Sequence, residues 1–223
     1  MERKKYAVIM AGGEGSRMGA AVPKQFLELG GKPILRLTVE RFLEYDPSIG
    51  LVIVLPASGK ETWKEYCAST GFLERYSMAT GGITRFHSVQ NALKYVPDGA
   101  LVAIHDGVRP FVTKDFLTRM FDAAQRCEAV IPVVPVVDSL RETESSGESF
   151  QIDRSRIVAV QTPQVFRSEI LKSAYKQAYS TSFTDDASVV EAAGFRVTLI
   201  EGLRGNFKIT TPEDYEIASA LCR

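Results

Sequence analysis

The stretch 11-AGGEGSRMGAAVPKQ-25 follows directly on the apolar run 6-YAVIM-10 and joins a glycine-rich loop to two cations, Arg17 and Lys24. A strand that ends in glycines leaves backbone N–H groups at its carboxyl end, where open α/β sheets bind ligands, and phosphate is the group such a loop suits. The spacing disfavours both common nucleotide loops. Gly13, Gly15 and Gly19 have one residue too many before the third glycine for G-x-G-x-x-G, and Gly19 is followed by Ala20 where G-x-x-x-x-G-K-[ST] needs lysine. No apolar helical face begins before Ile34, so the loop is long enough to wrap a triphosphate. Two cations on such a cradle suit charge that develops on an attacked phosphorus and its leaving group.

Two further stretches could carry chemistry. In 102-VAIHDGVRP-110 a buried strand ends in His105-Asp106-Gly107, with Arg109 just beyond. In a doubly wound sheet this is the same rim as the glycine loop. His105 reads as a satisfied structural histidine, whereas Asp106 and Arg109 read as functional. In 80-TGGITRFHSV-89, Gly81 and Gly82 open a helix. They are either helix punctuation capped by Thr84 or a place where a flat nucleobase approaches the backbone and Ser88 reads its edge; spacing leaves both open.

The elements that must position these residues follow from hydrophobic patterning. The runs 6-YAVIM-10, 51-LVIVLP-56, 101-LVAIHD-106 and 129-AVIPVV-134 lack polar alternation, as strands buried on both faces do. Between them, Ile34 to Tyr45 sets Ile34, Leu37, Phe42 and Leu43 near one helical stripe, and Thr84 to Tyr95 does the same for Val89 and Leu93. Strands alternating with helices specify a doubly wound α/β fold. Residues 138–160 differ: two polar strand-like pieces surround the turn signal Ser145-Ser146-Gly147, and such a hairpin is marginal in water without a partner surface. It is expected to project as an arm covered by a second subunit. Arg196 to Ile200 reads as a late strand, and Thr211-Pro212-Glu213-Asp214 announces a final helix with Thr211 as N-cap and Asp214 closing a capping box.

Composition narrows the function classes. The 27 basic and 27 acidic residues cancel, which leaves no broad electrostatic footprint for nucleic acid. Three dispersed cysteines and two histidines argue against a disulfide framework or a structural zinc site, and for a reducing compartment. The basic N-terminus precedes an apolar run too short for a signal peptide or a membrane span, so a cytoplasmic location is expected. The 223 residues read as a single domain, 1–223, with 138–159 as its arm.

With these blocks in view, the chain closely resembles the 2-C-methyl-D-erythritol 4-phosphate cytidylyltransferases of the non-mevalonate isoprenoid pathway, from Ala11 to Asp214. AGGEGSRMG with PKQ resembles the family's CTP loop, and IHDGVRP its most specific signature. The segments 135-PVVDSL-140, 153-DR-154, 161-QTPQVF-166, 184-TDDAS-188 and 206-NFKIT-210 agree as well. Two positions depart from the pattern: Ser139 stands where threonine is expected, and Gly107-Val108 where Ala-Ala is commoner.

The resemblance implies a Rossmann-like nucleotidyltransferase sheet that is mostly parallel and carries a projecting β-hairpin arm. It implies transfer of CMP from CTP to 2-C-methyl-D-erythritol 4-phosphate, with Mg²⁺ on the triphosphate and no assigned protein metal ligand. Arg17 and Lys24 would stabilise charge on the α-phosphate, with Arg154 and Lys208 as the further catalytic cations. The CTP loop would include Ala11, Gly12, Gly13, Gly15 and Ser16, while Gly81, Gly82 and Ser88 would meet the base. Asp106 would meet ribose or substrate hydroxyls. Gly107, Arg109, Ser139, Arg154, Thr162, Thr184 and Lys208 would form the sugar-phosphate site. Through the arm, Ser139 and Arg154 would serve the partner of a homodimer. The competing readings are a D-ribitol-5-phosphate cytidylyltransferase and, from another class, a non-catalytic nucleotide-binding module on the same fold. Thr184 to Ser188 favours the methylerythritol branch, and Lys24, Arg154 and Lys208 together favour catalysis.

Overall fold

Each of the four apolar runs becomes a strand packed on both faces, because helices cover the sheet above and below. A computed structural model describes residues 3–13, 23–72 and 74–222 of the chain. Strand β1 (Lys5–Met10) is followed by a single 3-10 turn at Lys24–Phe26, a short ribbon of β2 (Glu28–Leu29) and β3 (Lys32–Pro33), and helix α1 (Ile34–Tyr45). Next come β4 (Gly50–Leu55), α2 (Ala57–Thr70), β5 (Ser77–Thr80), α3 (Arg85–Ala92), β6 (Leu101–Asp106), α4 (Lys114–Arg126) and β7 (Ala129–Pro135). The arm supplies β8 (Leu140–Thr143) and β9 (Ser149–Ile152), after which β10 (Val158–Val160) and β11 (Gln164–Arg167) return to the sheet. Helices α5 (Ser168–Ala174) and α6 (Asp186–Ala192), strand β12 (Thr198–Glu201) and helix α7 (Pro212–Leu221) complete the chain.

The main sheet runs β10-β7-β11-β6-β1-β4-β5, with β12 also paired to β7. Strand β1 lies between β4 and β6, parallel to both, so Met10 sits beside Val54 on one side and Asp106 on the other. After β1 the chain builds outward through β4 and β5, then crosses to the opposite side for β6. The reversal opens a crevice at the carboxyl ends of β1 and β6, the position at which doubly wound sheets bind ligands.

Alternation along each strand feeds two cores. Ala7, Ile9, Ile53, Leu101 and Ala103 face Leu35, Val39, Phe42, Trp63 and Phe116 of α1, α2 and α4. Val8, Val52, Val54, Val102 and Ile104 face Phe86, Val89, Leu171 and Val190 of α3, α5 and α6. His105 is the exception within β6: it points toward α1 and meets the Phe42 ring edge-on at 5.1 Å.

The α/β reading is borne out, with local corrections. The buried stripe of α1 is Ile34, Leu35, Thr38, Val39 and Phe42, while Leu37 and Leu43 are only half-buried. The helix packs against α4 as well as the sheet, and its buried face follows both contacts. The late strand is Thr198–Glu201, two residues beyond the expected start, because it is set by parallel pairing of Thr198 with Val130. Strand β11 is antiparallel to both neighbours. The arm's ribbon ends at Ile152, and Val158 and Ala159, counted with the arm, already pair with Pro135 and Val134 of the main sheet. Gly147 has φ of +89° in the β8–β9 turn, the conformation its turn signal requires. The caps stand as expected: Thr84 accepts from His87 at the start of α3, and Thr211 with Asp214 forms the capping box of α7.

Among the described residues no helix is long and apolar enough to cross a membrane, and Cys67, Cys127 and Cys222 are free thiols. Phe42 is fully buried against both the sheet and His105. Phe42→Ala is expected to lower unfolding stability by about 3–5 kcal/mol, read from urea midpoints, since it leaves a cavity between α1 and the sheet. A loss below about 1 kcal/mol would mean that this contact does not anchor α1.

Candidate functional site

A cleft of about 330 Å³ opens at the carboxyl ends of β1 and β6 and is lined by Met10 to Gly13, Lys24, Gln25, Gly82 to Arg85, Ser88, Asp106, Val108 and Lys208. It therefore gathers Ala11, Gly12, Gly13, Lys24, Gly82, Ser88, Asp106 and Lys208 from the expected site residues. Gly15, Ser16 and Arg17 lie outside the described residues.

The wall along β1 is held by backbone groups. Ala11 donates its N–H to Val54 at 2.9 Å, and its carbonyl accepts from Nε2 of Gln25 at 3.1 Å. Gln25 is buried, so this bond ties the start of the glycine segment to the 3-10 turn that carries Lys24. Across the cleft, Gly12 and Gly81 approach closely: a Cβ on either would stand 3.7 Å from the other's Cα.

The opposite wall is a turn locked by hydroxyls. Gly82 donates its N–H to Ser88 Oγ at 2.9 Å, and Ser88 Oγ donates to the Thr84 carbonyl at 2.9 Å. The Ser88 proton is thus committed, and the residue acts on the cleft by shaping the Gly82 backbone. Gly82 has no substitute: a Cβ there would fall 2.5 Å from the Cβ of His87 and 3.0 Å from its backbone carbon. Thr84 caps α3, as one reading of this segment had it, and Gly82 brings its backbone to the cleft. Ile83 projects beside them, 96% exposed.

The floor is a buried charge cluster. Asp106 is 8% exposed, and its Oδ2 meets Arg109 Nε at 3.0 Å and Lys208 Nζ at 3.2 Å. Burial alone would raise its pKa; the charges of Lys208, Arg85 and Arg109 overcome that and hold the carboxyl well below the usual range. Arg109 is braced in turn by donating to the Asn206 carbonyl at 2.8 Å. Behind Asp106, its N–H donates to Thr162 Oγ1 at 3.1 Å, and Thr162 Oγ1 lies 3.1 Å from His105 Nδ1. His105 Nε2 faces the Arg109 carbonyl at 3.1 Å. A carbonyl only accepts, so Nε2 carries the proton and Nδ1 accepts from Thr162. Full burial, only partly offset by these bonds, lowers the His105 pKa from 6.5 to about 4. It is the neutral structural histidine its context suggested.

The remaining expected residues sit around this cluster. Gly107 is packed behind the cleft, its N–H donated to Met10 at 2.8 Å and its carbonyl accepting from Thr38 at 3.1 Å. Its N–H is thus spent within the sheet rim. Thr162 is buried beneath Asp106, and its hydroxyl orders Asp106 and His105. Thr184 lines a narrow recess beside Arg85. Ser139 and Arg154 are exposed on the arm, away from the cleft lining, and Arg154 donates to the Val137 carbonyl.

Gln25, Arg85 and Asn206 are site residues that spacing did not single out. Gln25 follows Lys24 directly, and Asn206 opens the segment that carries Lys208, so both lay inside quoted motifs. The role of Arg85 depends on a carboxylate 101 positions away, Asp186, to which no periodicity points.

Chemically, the cleft offers cations, backbone N–H groups and one ion-paired carboxylate. No nucleophile paired with a base lines it among the described residues, since His105 is buried and Ser88 is engaged. Nor do any three His, Cys, Asp or Glu side chains there form a group that could hold a metal. Asp106 already serves two cations, so these residues do not fit a resident magnesium ion. The arrangement suits a reaction between two bound phosphate-bearing ligands, with positioning and charge carrying the rate.

Comparison with known proteins bears on which ligands these are. The family model for 2-C-methyl-D-erythritol 4-phosphate cytidylyltransferase (IspD) matches residues 6–223. The chain is 49% identical to the protein of that name from Phocaeicola vulgatus, over 97% of this chain and 99% of the relative. It is 50% identical to that from Bacteroides thetaiotaomicron, over 98% and 99%. Among solved structures, the enzyme from Thermus thermophilus superimposes with a TM-score of 0.78 at 32% identity, covering 99% of each chain. A 4-diphosphocytidyl-2C-methyl-D-erythritol synthase does so with 0.82 at 30%, covering 100% of each.

The His105 geometry makes a stability prediction. Between pH 6.5 and about 4 the unfolded chain takes up a proton that the folded chain refuses, so stability falls as pH drops through that window. Urea midpoints should report a loss of about 2 kcal/mol between about pH 7 and 5, and His105→Gln should flatten that slope. An equally steep slope in the variant would assign the pH dependence elsewhere.

Proposed function

The chain belongs to the 2-C-methyl-D-erythritol 4-phosphate cytidylyltransferase family, and we propose that its cleft transfers CMP from CTP to that acceptor by in-line displacement without a covalent enzyme intermediate. An oxygen of the acceptor's phosphate attacks the α-phosphorus of CTP, the bond to the β-phosphate oxygen breaks, and pyrophosphate leaves with that electron pair. The product is 4-diphosphocytidyl-2-C-methyl-D-erythritol. The observation that carries this reading is the cleft itself, which Gly12, Gly13, Lys24, Asp106 and Lys208 line together with no nucleophile–base pair among the described lining residues. A phosphate monoester is already ionised near neutral pH and needs no general base.

Each group then has a role. The Ala11–Gly13 backbone and Lys24, with Gly15, Ser16 and Arg17, wrap the triphosphate, and Lys24 and Arg17 meet the charge that grows on the α-phosphate. The Gly81–Gly82 backbone, shaped by Ser88, borders the base. Asp106 accepts from hydroxyls while Lys208 and Arg109 keep it ionised, and Lys208 also faces the attacking phosphate. Thr162 acts by orienting Asp106, and Thr184 borders the acceptor. Mg²⁺ arrives with the triphosphate, held by phosphate oxygens and water.

The arm completes the site in a homodimer. Val137, Phe150, Ile157, Val158 and Val160 expose 39–58% of their surface on and beside it, more apolar area than an isolated ribbon keeps in water. Ser139 and Arg154 ride on this arm and would reach the partner's cleft. Free thiols and the lack of a membrane-crossing helix among the described residues are in keeping with a cytoplasmic enzyme.

The deciding experiment is pyrophosphate release from CTP and Mg²⁺ with 2-C-methyl-D-erythritol 4-phosphate or D-ribitol 5-phosphate. Release with the first alone is expected; release with the second alone would keep the chemistry and replace the acceptor, and silence with both would leave a nucleotide-binding module. Lys24→Ala should cut kcat by about 100-fold or more with the unfolding midpoint unchanged; a kcat near wild type would remove Lys24 from the transition state.

A further inference from the structure

Arg85 opens α3 on the wall of the cleft. Its Nη2 donates to Asp186 Oδ2 at 2.6 Å, and Tyr175 Oη donates to the other carboxylate oxygen, Oδ1, at 2.6 Å. Asp186 is fully buried at the start of α6, and Tyr175 is buried beside Phe86, stacked on its ring at 4.7 Å. Further bonds anchor the α6 end: Gln164 donates to Asp185 at 2.7 Å and accepts from the Ala187 N–H at 3.0 Å. Two carboxylate oxygens thus receive two donors, one from each side, and the guanidinium is tied to the start of α6.

Asp186 is fully buried while the Arg85 side chain keeps 32% of its surface open, so the pair anchors Arg85 without enclosing it. Burial opposes the Arg85 charge and Asp186 more than restores it, so the guanidinium stays a donor. Burial and the Asp186 charge likewise keep Tyr175 protonated well above the usual phenol range. A guanidinium has five N–H groups, and Asp186 accepts one of them. Arg85 lines both the main cleft and the recess that holds Thr184 and Asp185, so it stands where the nucleotide side meets the Thr184 side. Asp186 accepts one Arg85 N–H and balances part of its charge, which leaves the other N–H groups as directed donors on the cleft wall. That suits neutral hydroxyl oxygens, whereas the phosphates are met by the loop cations.

We propose that Asp186 and Tyr175 are positioning residues that hold Arg85 as a hydrogen-bond donor to the hydroxyl groups of the acceptor polyol. The inference rests on the cytidylyl-transfer reading above and adds a specificity wall to it.

The test is steady-state pyrophosphate release by the full chain with CTP, Mg²⁺ and 2-C-methyl-D-erythritol 4-phosphate. Wild type is compared with Tyr175→Phe, Asp186→Asn, Arg85→Lys and the double variant Arg85→Lys/Tyr175→Phe, with an unfolding midpoint for each. Asp186→Asn and Arg85→Lys should raise the acceptor KM about tenfold or more and Tyr175→Phe by about threefold, while the CTP KM stays within about twofold. Tyr175→Phe should add nothing in the Arg85→Lys background, since both act through one guanidinium. An unchanged acceptor KM, parallel rises in both KM values, or additive effects in the double variant would overturn the proposal. If Asp186→Asn does not fold, Tyr175→Phe decides, because it removes one hydroxyl and keeps the ring that packs on Phe86. A silent wild type would instead overturn the reaction reading, an outcome separate from any change among the variants.

Discussion

The structure around the cleft depends on one buried carboxylate. Asp106 ends a strand buried on both faces, and an unpaired charge there would cost several kcal/mol. Arg109 and Lys208 remove that cost, and to do so the loop after β6 and the segment before α7 must close over the same point. The Asn206 carbonyl braces Arg109, while Asn206 Nδ2 donates to the Thr162 carbonyl at 2.8 Å, which brings the β10–β11 connection into the same knot. Three distant parts of the chain are therefore gathered by the need to satisfy one group, and the cleft is what they enclose.

Around this centre several side chains fix neighbouring backbone. Ser88 holds Gly82, Gln25 holds Ala11, and Thr162 holds Asp106. Such an arrangement suits a reaction whose nucleophile and leaving group both belong to the substrates. The protein's contribution is then a rigid set of N–H groups and cations aimed in advance, and its cost is met by packing in the two sheet cores. Asp186 repeats the device on the opposite wall: a buried carboxylate, satisfied from two sides, orients one cation.

The arm follows a different rule. Strands β8 and β9 pair only with each other, and the surface beside them carries Val137, Phe150 and Val158 in the open. A ribbon of four-residue strands gains little from its own pairing, and these side chains add apolar surface that it does not bury.

Much of this was legible in the residues alone. Uninterrupted apolar runs mark strands buried on both faces, Thr211-Pro212 with Asp214 marks the start of α7, and a glycine loop with an aspartate-ended strand marks the rim, because these are local consequences of sterics, capping and burial. The neutral state of His105 could be anticipated from its place inside an apolar strand. What local rules could not supply is which side chains meet. The shifted stripe of α1 reflects contact with both the sheet and α4, and the start of β12 reflects its register on β7. That the Gly107 N–H is spent on Met10, and that Arg85 finds Asp186 and Tyr175, depend on distances across the folded chain. Periodicity reports which face of an element is buried, and only the closed tertiary structure decides which partners satisfy the polar groups trapped there.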